Sequence, residues 1–225
     1  MPPRPTTLLD EVAQKEDFKT EPGLTAAIAA AIRANYDGKI TFVDHWCGEI
    51  LAAYERRGWL DDLCVVFWSD HGRVFKRTFH ESALRVPLIL RWPGRIPSGT
   101  VCGALVETID VGPTLLDALG LGQLQMSLGQ SLGHLFAEPA AHHSAEVLSE
   151  IFYGSSRNTM VKTGRHKYAM DQHGMGYMLY DMLQDPDEQH NLIGDPDHRN
   201  AETEMRDTLL GRFMASAFVM DSVNL

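Results

Sequence analysis

A short apolar segment that ends on a carboxylate and an imidazole constrains the fold of this chain more than any other feature. The segment LCVVFW ends at Trp68, and Ser-Asp-His-Gly follows at residues 69–72. A second apolar segment, VPLILRW, begins at Val86. Segments of this length and composition are typical of strands buried on both faces of a parallel sheet. We therefore predict two buried strands with a polar turn after the first.

Two helices flank these strands in the predicted order. Apolar residues recur every three or four positions from about Leu24 to Arg57, which predicts a helix with Gly38 as a break point and Gly58 at its end. The segment IDVGPTLLDALGL predicts a helix that begins near Asp110, whose carboxylate would cap it. Helices that alternate with short apolar strands predict an α/β fold.

The pattern changes after residue 135, where short strand-like segments replace the helices. AEVLSEIF, NTMVKT, HKYAMD and GYMLYDM are separated by turns rich in Gly, Ser and Arg, which predicts an antiparallel sheet. A final helix is predicted from about Ala201 to Phe218. We therefore predict a division near residue 140, with α/β structure over 1–140 and a small α+β subdomain over 141–225.

Composition and charge exclude several classes of protein. The 20 Lys and Arg against 30 Asp and Glu give a formal net charge of −10, which disfavours a nucleic-acid partner. No apolar run has the length needed to cross a bilayer, so no membrane association is predicted. The first residues lack the apolar core of a signal peptide, so a cytoplasmic location is expected if Met1 is the true start. The compartment is otherwise left open.

The first apolar strand carries acidic residues at both ends. In open α/β sheets ligands bind at the carboxyl ends of strands, which selects Asp70 and His71 and leaves Asp61 and Asp62 as a solvated turn. A carboxylate beside an imidazole suits a divalent cation, and Gly72 lets the backbone bend tightly around it. On spacing alone, an Asp that caps the next helix beside an exposed His explains the same residues.

Several motifs in a fixed order connect this turn to a known family. VVFWSDHG is followed by a lysine, by ESALRVPLILRWPG and by LVETIDVGPTLLDALGL. The helix YDGKITFVDHWCGEILAAYERRGWLDD precedes them, and GRHKYAMDQHGMGYMLYDMLQDPDEQHNL follows. Over about residues 30–195 this series resembles the C-terminal half of the sulfatase family. The sulfatases are members of the alkaline-phosphatase-like superfamily.

The resemblance implies a fold, a reaction and a site. The expected fold is part of an alkaline-phosphatase-like α/β sheet domain over 1–140, followed by an antiparallel-sheet subdomain over 141–225. The implied activity is that of a sulfuric ester hydrolase with a divalent cation, usually Ca²⁺. Asp70 falls on the metal-ligand aspartate of the family, His71 on the adjacent position, and Lys76 on the lysine that neutralises the sulfate. Since His71 is a nitrogen ligand, Mn²⁺ and Zn²⁺ remain open.

The sequence departs from the family pattern at the nucleophile. The family makes a formylglycine from cysteine in a C-x-P-S-R or C-x-A-S-R motif, but Cys47, Cys64 and Cys102 stand in the contexts CGEI, CVVF and CGAL. No strand that ends in Asp-Asp supplies the other carboxylate ligands. We therefore expect a partial chain that lacks the formylglycine segment. Its partners would be a small-molecule sulfate ester and either the missing N-terminal half or further copies in a homo-oligomer.

Two further substrate contacts are predicted near this turn and in a later loop. Only the residues RVF separate the S-D-H-G motif from Lys76, fewer than in many family members, so Arg77 could face the site instead. His173 lies in a polar loop that could fold back toward the site. Both are predicted as substrate-binding residues.

Other polar residues are assigned to structure. His142 and His143 are adjacent, and adjacent residues in a strand face opposite ways, so a surface pair is predicted instead of a metal pair. Asp181 and Asp185 in the LYD…DP segment are predicted to cap backbone N–H groups.

Two alternatives to a sulfatase remain open. Other enzymes of the same superfamily, such as phosphodiesterases and phosphomutases, carry a similar strand end and prefer transition metals. A non-catalytic binding module would fold stably and bind metal weakly. Its exposed strand edge would tend to associate with other chains.

Overall fold

The computed structural model describes residues 25–72, 78–122 and 127–221, which form two compact units divided between Gly94 and Arg95. The first unit contains α1 (Ala26–Glu55), a 3₁₀ turn (Leu60–Asp62), β1 (Val65–Trp68), α2 (Glu81–Leu84) and β2 (Leu88–Arg91). The second unit contains a 3₁₀ turn (Thr108–Asp110), α3 (Val111–Ala118), α4 (Gly133–Ala137), β3 (Glu146–Tyr153), β4 (Ser156–Thr163), β5 (His166–Met170), β6 (Gly176–Asp181), a 3₁₀ turn (Pro196–His198) and α5 (Arg199–Asp221).

Within these described ranges, no helix is both long and apolar enough to cross a membrane.

Helix α1 begins and ends close to the predicted residues. The Thr25 hydroxyl accepts a hydrogen bond from the Ile28 N–H at 3.3 Å, which caps the first turn. After the helix, Gly58 adopts a φ of 70°, a left-handed conformation that glycine tolerates because it has no Cβ. The helix passes through Gly38 without interruption, so the break considered there does not occur.

One face of α1 is apolar and exposed to solvent. Its side chains are between 38% and 57% exposed and recur at helical spacing: Ile40, Val43, Trp46, Ile50 and Tyr54. We call these five residues the apolar face of α1. The buried side chain of Ile32, by contrast, is only 4% exposed.

Strands β1 and β2 pair antiparallel, with Val65 opposite Arg91 and Trp68 opposite Leu88. Both strands are partly exposed, with Trp68 of β1 at 47% and Ile89 of β2 at 57%. The predicted parallel pairing and burial on both faces are therefore wrong for these residues. An apolar run predicts a strand but does not specify its direction, and a chain that simply reverses between two strands pairs them antiparallel.

The second unit contains the predicted antiparallel sheet and terminal helix. Strands β3, β4, β5 and β6 are adjacent in that order, and every pair is antiparallel. Residues from the sheet and from α5 form one buried cluster, which consists of Val161, Tyr168, Met170, Leu179, Met205 and Leu209. Helix α5 therefore covers one face of the sheet.

The helix predicted near Asp110 is present as α3, with Pro113 in its first turn. However, the Asp110 side chain does not cap α3. Its oxygens accept hydrogen bonds from the N–H groups of Glu107 and Gln130, both at 2.8 Å. The predicted cap is wrong because a 3₁₀ turn precedes α3, and Glu107 and Asp110 form a capping box around that turn.

The boundary predicted near residue 140 stays a prediction. The second unit does change from helices to strands there, since α4 ends at Ala137 and β3 begins at Glu146.

A buried ion pair joins β5 to the loop that follows β6. Lys167 Nζ lies 2.6 Å from Glu188 Oε1, and the two side chains are 0% and 4% exposed. Glu188 has a φ of 55°, which is unusual for a residue with a side chain. The ion pair therefore holds the loop in a conformation that most side chains disfavour.

Replacing Lys167 with methionine would leave the Glu188 carboxylate buried without this ammonium group. We expect the free energy of unfolding to fall by about 3–5 kcal/mol. Replacing both residues with methionine removes the buried carboxylate as well, so the double variant should regain most of that loss. Urea unfolding measures both values. Equal losses in the single and double variants would contradict this account.

Candidate functional site

The chain turns sharply after β1, and local hydrogen bonds shape this turn. Ser69 Oγ donates to the His71 carbonyl at 2.8 Å, and the His71 N–H donates to Asp70 Oδ1 at 3.0 Å. The Asp70 side chain is 80% exposed and the His71 side chain 33% exposed. The turn therefore presents a carboxylate and an imidazole at the carboxyl end of β1.

Gly72 attaches this turn to two helical segments of the first unit. Its N–H donates to the Ala83 carbonyl at 2.7 Å, and its carbonyl accepts a hydrogen bond from the Tyr36 hydroxyl at 2.6 Å. A Cβ at position 72 would overlap the Ser82 carbonyl oxygen. Glycine is therefore required because the backbone passes too close to α2 for any side chain.

The geometry of Asp70 and His71 fits a shared cation. Asp70 Oδ2 and His71 Nε2 are 3.7 Å apart. Two ligand atoms that bind one divalent ion at about 2.0–2.6 Å are separated by about 3–4 Å. Among the described residues, no group of three or more His, Cys, Asp or Glu side chains could hold a metal ion. A cation at this turn would therefore take two ligands from the described part of the chain.

The opposite end of β1 is a solvated turn, as predicted. Arg91 donates to the Leu60 carbonyl at 2.7 Å and to Asp61 Oδ1 at 3.1 Å. The Asp61 side chain is 90% exposed. Arg91 thus neutralises part of the negative charge at this end, whereas the Asp70 carboxylate is paired only with the adjacent histidine among the described ion pairs.

The remaining predicted site residues are not tested by these contacts. Lys76 and Arg77 lie outside the described residues. His173 is exposed in the turn between β5 and β6, where its N–H donates to Asp171 Oδ1 at 2.9 Å. Gln172 Nε2 lies 3.2 Å from His173 Nε2. The assignment of these residues to substrate binding stays a prediction.

A cluster of polar residues in the second unit was not anticipated from the sequence. Glu107 accepts hydrogen bonds from the Leu148 N–H at 2.8 Å and from Arg212 Nη2 at 2.7 Å. Burial raises the pKa of Glu107, although the hydrogen bond from Leu148 and the charge of Arg212 oppose this rise. The carboxylate thus joins the segment before α3 to β3 and α5. In the sequence, only the E-x-x-D spacing of a capping box indicated this cluster.

His143 belongs to the same cluster, so its prediction as a surface residue is wrong. Its side chain is 2% exposed, and its Nε2 lies 3.1 Å from Asp110 Oδ2. Its ring stacks on that of His134 with centroids 5.2 Å apart. Nδ1 is buried with no hydrogen-bond partner among the described residues. The prediction failed because His143 precedes β3, so strand alternation does not apply to it.

Family models match most of this chain. The model for N-sulphoglucosamine sulphohydrolase, C-terminal, matches residues 69–213, and the sulfatase model matches residues 4–121. Each match covers more than half of the 225 residues. The chain belongs to the sulfatase family.

Arylsulfatase K from Rattus norvegicus is one related sulfatase. It is 32% identical over 181 residues, which cover 72% of this chain and 32% of the relative. The chain therefore spans about a third of the length of this relative.

Solved structures confirm the predicted fold class. A structure in complex with its substrate D-glucosamine-2-N,6-O-disulfate has a TM-score of 0.78 and 23% identity over 88% of this chain and 44% of that chain. A phosphonate monoester hydrolase from Silicibacter pomeroyi has a TM-score of 0.76 and 26% identity over 89% and 44%. The sulfatase chain therefore has part of the alkaline-phosphatase-like α/β fold.

The LYD…DP segment of this sulfatase chain has the predicted capping role. Burial alone would raise the pKa of Asp181, but hydrogen bonds from the Arg165 guanidinium and from two backbone N–H groups keep it below its usual range. The backbone N–H groups of Gln189 and His190 likewise lower the pKa of Asp185. Both carboxylates therefore stabilise the loop that follows β6 while they are ionised.

These depressed pKa values predict acid sensitivity. The stabilisation is complete above the ordinary aspartate pKa of about 3.9 and is lost as the pH falls through the lower folded-state pKa values. Because Asp185→Asn cannot titrate, this variant should unfold at a lower urea concentration at pH 7 but lose less stability between pH 5 and pH 3 than the wild-type chain. Urea midpoints at these pH values measure both effects.

Asp187→Asn is the matched control, since Asp187 lies in the same loop and its carboxylate makes none of these backbone contacts. It should keep the urea midpoint of the wild-type chain at pH 7. If Asp185→Asn and the wild-type chain lose equal stability on acidification, the assignment to Asp185 is wrong.

Proposed function

We propose that this chain is the cation-binding C-terminal part of a sulfuric ester hydrolase. The observation that carries this proposal is the turn after β1, where Asp70 Oδ2 faces His71 Nε2 at 3.7 Å in a member of the sulfatase family. Calcium prefers oxygen ligands and is the cation we propose, while the imidazole leaves Mn²⁺ and Zn²⁺ as alternatives.

The contacts of Asp70 define the proposed roles of its atoms. Oδ1 accepts the His71 N–H and fixes the carboxylate, so Oδ2 and His71 Nε2 are the atoms proposed to bind the cation. A bound divalent cation supplies positive charge that stabilises negative charge developing on the sulfate oxygens. The exposure of Asp70 makes this position accessible to a substrate from solvent.

The other proposed roles rest on sequence position. Lys76 is proposed to neutralise the sulfate because it falls on the lysine of the family pattern that follows the S-D-H-G turn, with Arg77 as the alternative. His173 is proposed to contact the substrate from the turn between β5 and β6. Formylglycine is proposed as the nucleophile, supplied by a segment with the C-x-P-S-R or C-x-A-S-R motif.

The proposed substrate is a small sulfate ester. One structural neighbour is described in complex with a sulfated glucosamine, and relatives are named arylsulfatases. An aryl ester such as 4-nitrocatechol sulfate is a suitable probe because its hydrolysis produces a colour change.

Asp70→Asn should weaken cation binding. Replacing one carboxylate oxygen with an amide nitrogen removes a ligand and a negative charge, so we expect the dissociation constant for Mn²⁺ to rise by about tenfold or more. The paramagnetic resonance signal of free Mn²⁺ measures this constant. Asp61→Asn is the matched control, because Asp61 lies at the opposite end of β1 and pairs with Arg91. Equal effects of the two substitutions would argue against a cation site at Asp70.

The purified chain should not hydrolyse 4-nitrocatechol sulfate with Ca²⁺ or Mn²⁺ present. None of its three cysteines lies in a formylglycine motif, so the attacking group is absent. Co-expression with the N-terminal part of a sulfatase that carries formylglycine should restore turnover. Asp70→Asn should abolish the restored turnover, whereas Asp62→Asn should retain it. Turnover by the purified chain alone would contradict the proposed division of the site.

A second candidate function is hydrolysis of phosphate or phosphonate esters. The similarity to a phosphonate monoester hydrolase, at 26% identity, favours this alternative. Faster cleavage of bis-4-nitrophenyl phosphate than of 4-nitrocatechol sulfate by the co-expressed pair would favour it over sulfate ester hydrolysis. Tight association of the two co-expressed polypeptides without turnover of either ester would instead favour a non-catalytic binding module.

A further inference from the structure

Tyr36 makes a hydrogen bond between distant parts of the first unit. It lies in α1, and its hydroxyl donates to the Gly72 carbonyl across 36 residues of sequence. The distance of 2.6 Å is at the short end of the range for an O–H···O hydrogen bond. The acceptor follows His71 directly, so the bond acts on the turn that carries the proposed cation ligands.

Two further hydrogen bonds among the described residues of the turn are local. Ser69 Oγ bonds to His71, and the His71 N–H bonds to Asp70, so both contacts join residues within the turn itself. These local bonds give the turn its shape but do not fix its position relative to the helices. The contacts of Gly72 with Tyr36 and with Ala83 supply that connection.

We propose that Tyr36 is a positioning residue for cation binding. Its hydroxyl holds the Gly72 carbonyl from the side of α1 while the Ala83 carbonyl holds the Gly72 N–H from the side of α2. The bond to Ala83 fixes the peptide plane between His71 and Gly72, and the bond from Tyr36 fixes the next plane. Together they hold the backbone at Gly72 and thereby the direction of the Asp70 and His71 side chains. This inference rests on the proposed cation site, since a positioning role has meaning only if Asp70 and His71 bind an ion.

The hydroxyl and the ring of Tyr36 have separable effects. The ring of phenylalanine would occupy the same space, so Tyr36→Phe removes the donor and leaves the apolar packing in place. The Gly72 carbonyl would then lose this partner, and the turn could rotate about its local bonds. The groups of a ligand site must be held within about 0.5 Å of their binding positions. Loss of a hydrogen bond that orients a metal ligand weakens metal binding by about 10–100-fold.

The test compares Tyr36→Phe with Tyr54→Phe in the purified chain. Tyr54 lies on the same helix, is 38% exposed, and packs its ring near Trp59. The dissociation constant for Mn²⁺ is measured from the resonance signal of the free ion, and the urea midpoint is measured without metal. We expect Tyr36→Phe to raise the dissociation constant by about tenfold and to lower the urea midpoint only slightly, through the loss of one hydrogen bond. Tyr54→Phe should change neither value.

Replacing Tyr36 with 4-aminophenylalanine provides the second variant. This residue keeps an N–H donor where the hydroxyl stood, so it should retain the affinity of the wild-type chain, even if Tyr36→Phe folds poorly. Unchanged Mn²⁺ affinity in Tyr36→Phe would overturn the inference. A weakened 4-aminophenylalanine variant would also overturn it, as would a loss of affinity that disappears once the unfolded fraction of Tyr36→Phe is subtracted.

Asp70→Asn distinguishes failure of this inference from failure of the proposed function. If Asp70→Asn weakens Mn²⁺ binding and Tyr36→Phe does not, only the role of Tyr36 is wrong. If the wild-type chain binds no Mn²⁺, or if Asp70→Asn leaves its binding unchanged, the cation site itself is wrong and both proposals fail.

Discussion

The peptide groups of Gly72 are the constraint on which the candidate site depends. Their N–H and carbonyl are bonded to the segments around α2 and α1, and the close approach to the Ser82 carbonyl excludes any side chain. Side-chain ligands can be oriented only as well as the backbone that carries them is held. A turn of four residues with internal hydrogen bonds alone would keep its shape but not its direction.

The second unit uses carboxylates in a comparable way. Asp110 and Asp185 each accept backbone N–H groups of residues outside the helices and strands, and Glu107 accepts the N–H of Leu148 in β3. Loops without regular structure leave such donors unpaired, and burial of an unpaired donor is costly. Ionised acceptors form stronger hydrogen bonds than neutral ones, so a few aspartates and glutamates can hold long loops. His143 extends this network to Asp110 and is itself nearly inaccessible to solvent.

Local sequence patterns predicted the elements but not their long-range partners. The turn at Asp70, the end of α1 at Gly58 and the antiparallel sheet were predictable because each depends on neighbouring residues. The Tyr36–Gly72 bond and the Lys167–Glu188 pair were not, since their members are 36 and 21 residues apart. No periodicity distinguishes a tyrosine that bonds to a distant carbonyl from one that only packs. The direction of β1 and β2 was missed for the same reason, because an apolar run does not name its neighbour.

The apolar residues that remain exposed bear on where activity arises. The sequence of β1 is that of a strand buried on both faces, yet Trp68 is 47% exposed, and the apolar face of α1 is exposed as well. The chain also spans about a third of the length of a related arylsulfatase. Additional strands beside β1 and β2 would bury these side chains, and burial stabilises by about 25 cal/mol per Å² of apolar area. The apolar sequence of β1 would then match a buried position. Such strands would also be the natural source of the ligands and nucleophile that this chain does not provide. We therefore expect catalysis to require the chain together with such strands, whereas the turn at Gly72 and its two proposed cation ligands are already formed in the part described here.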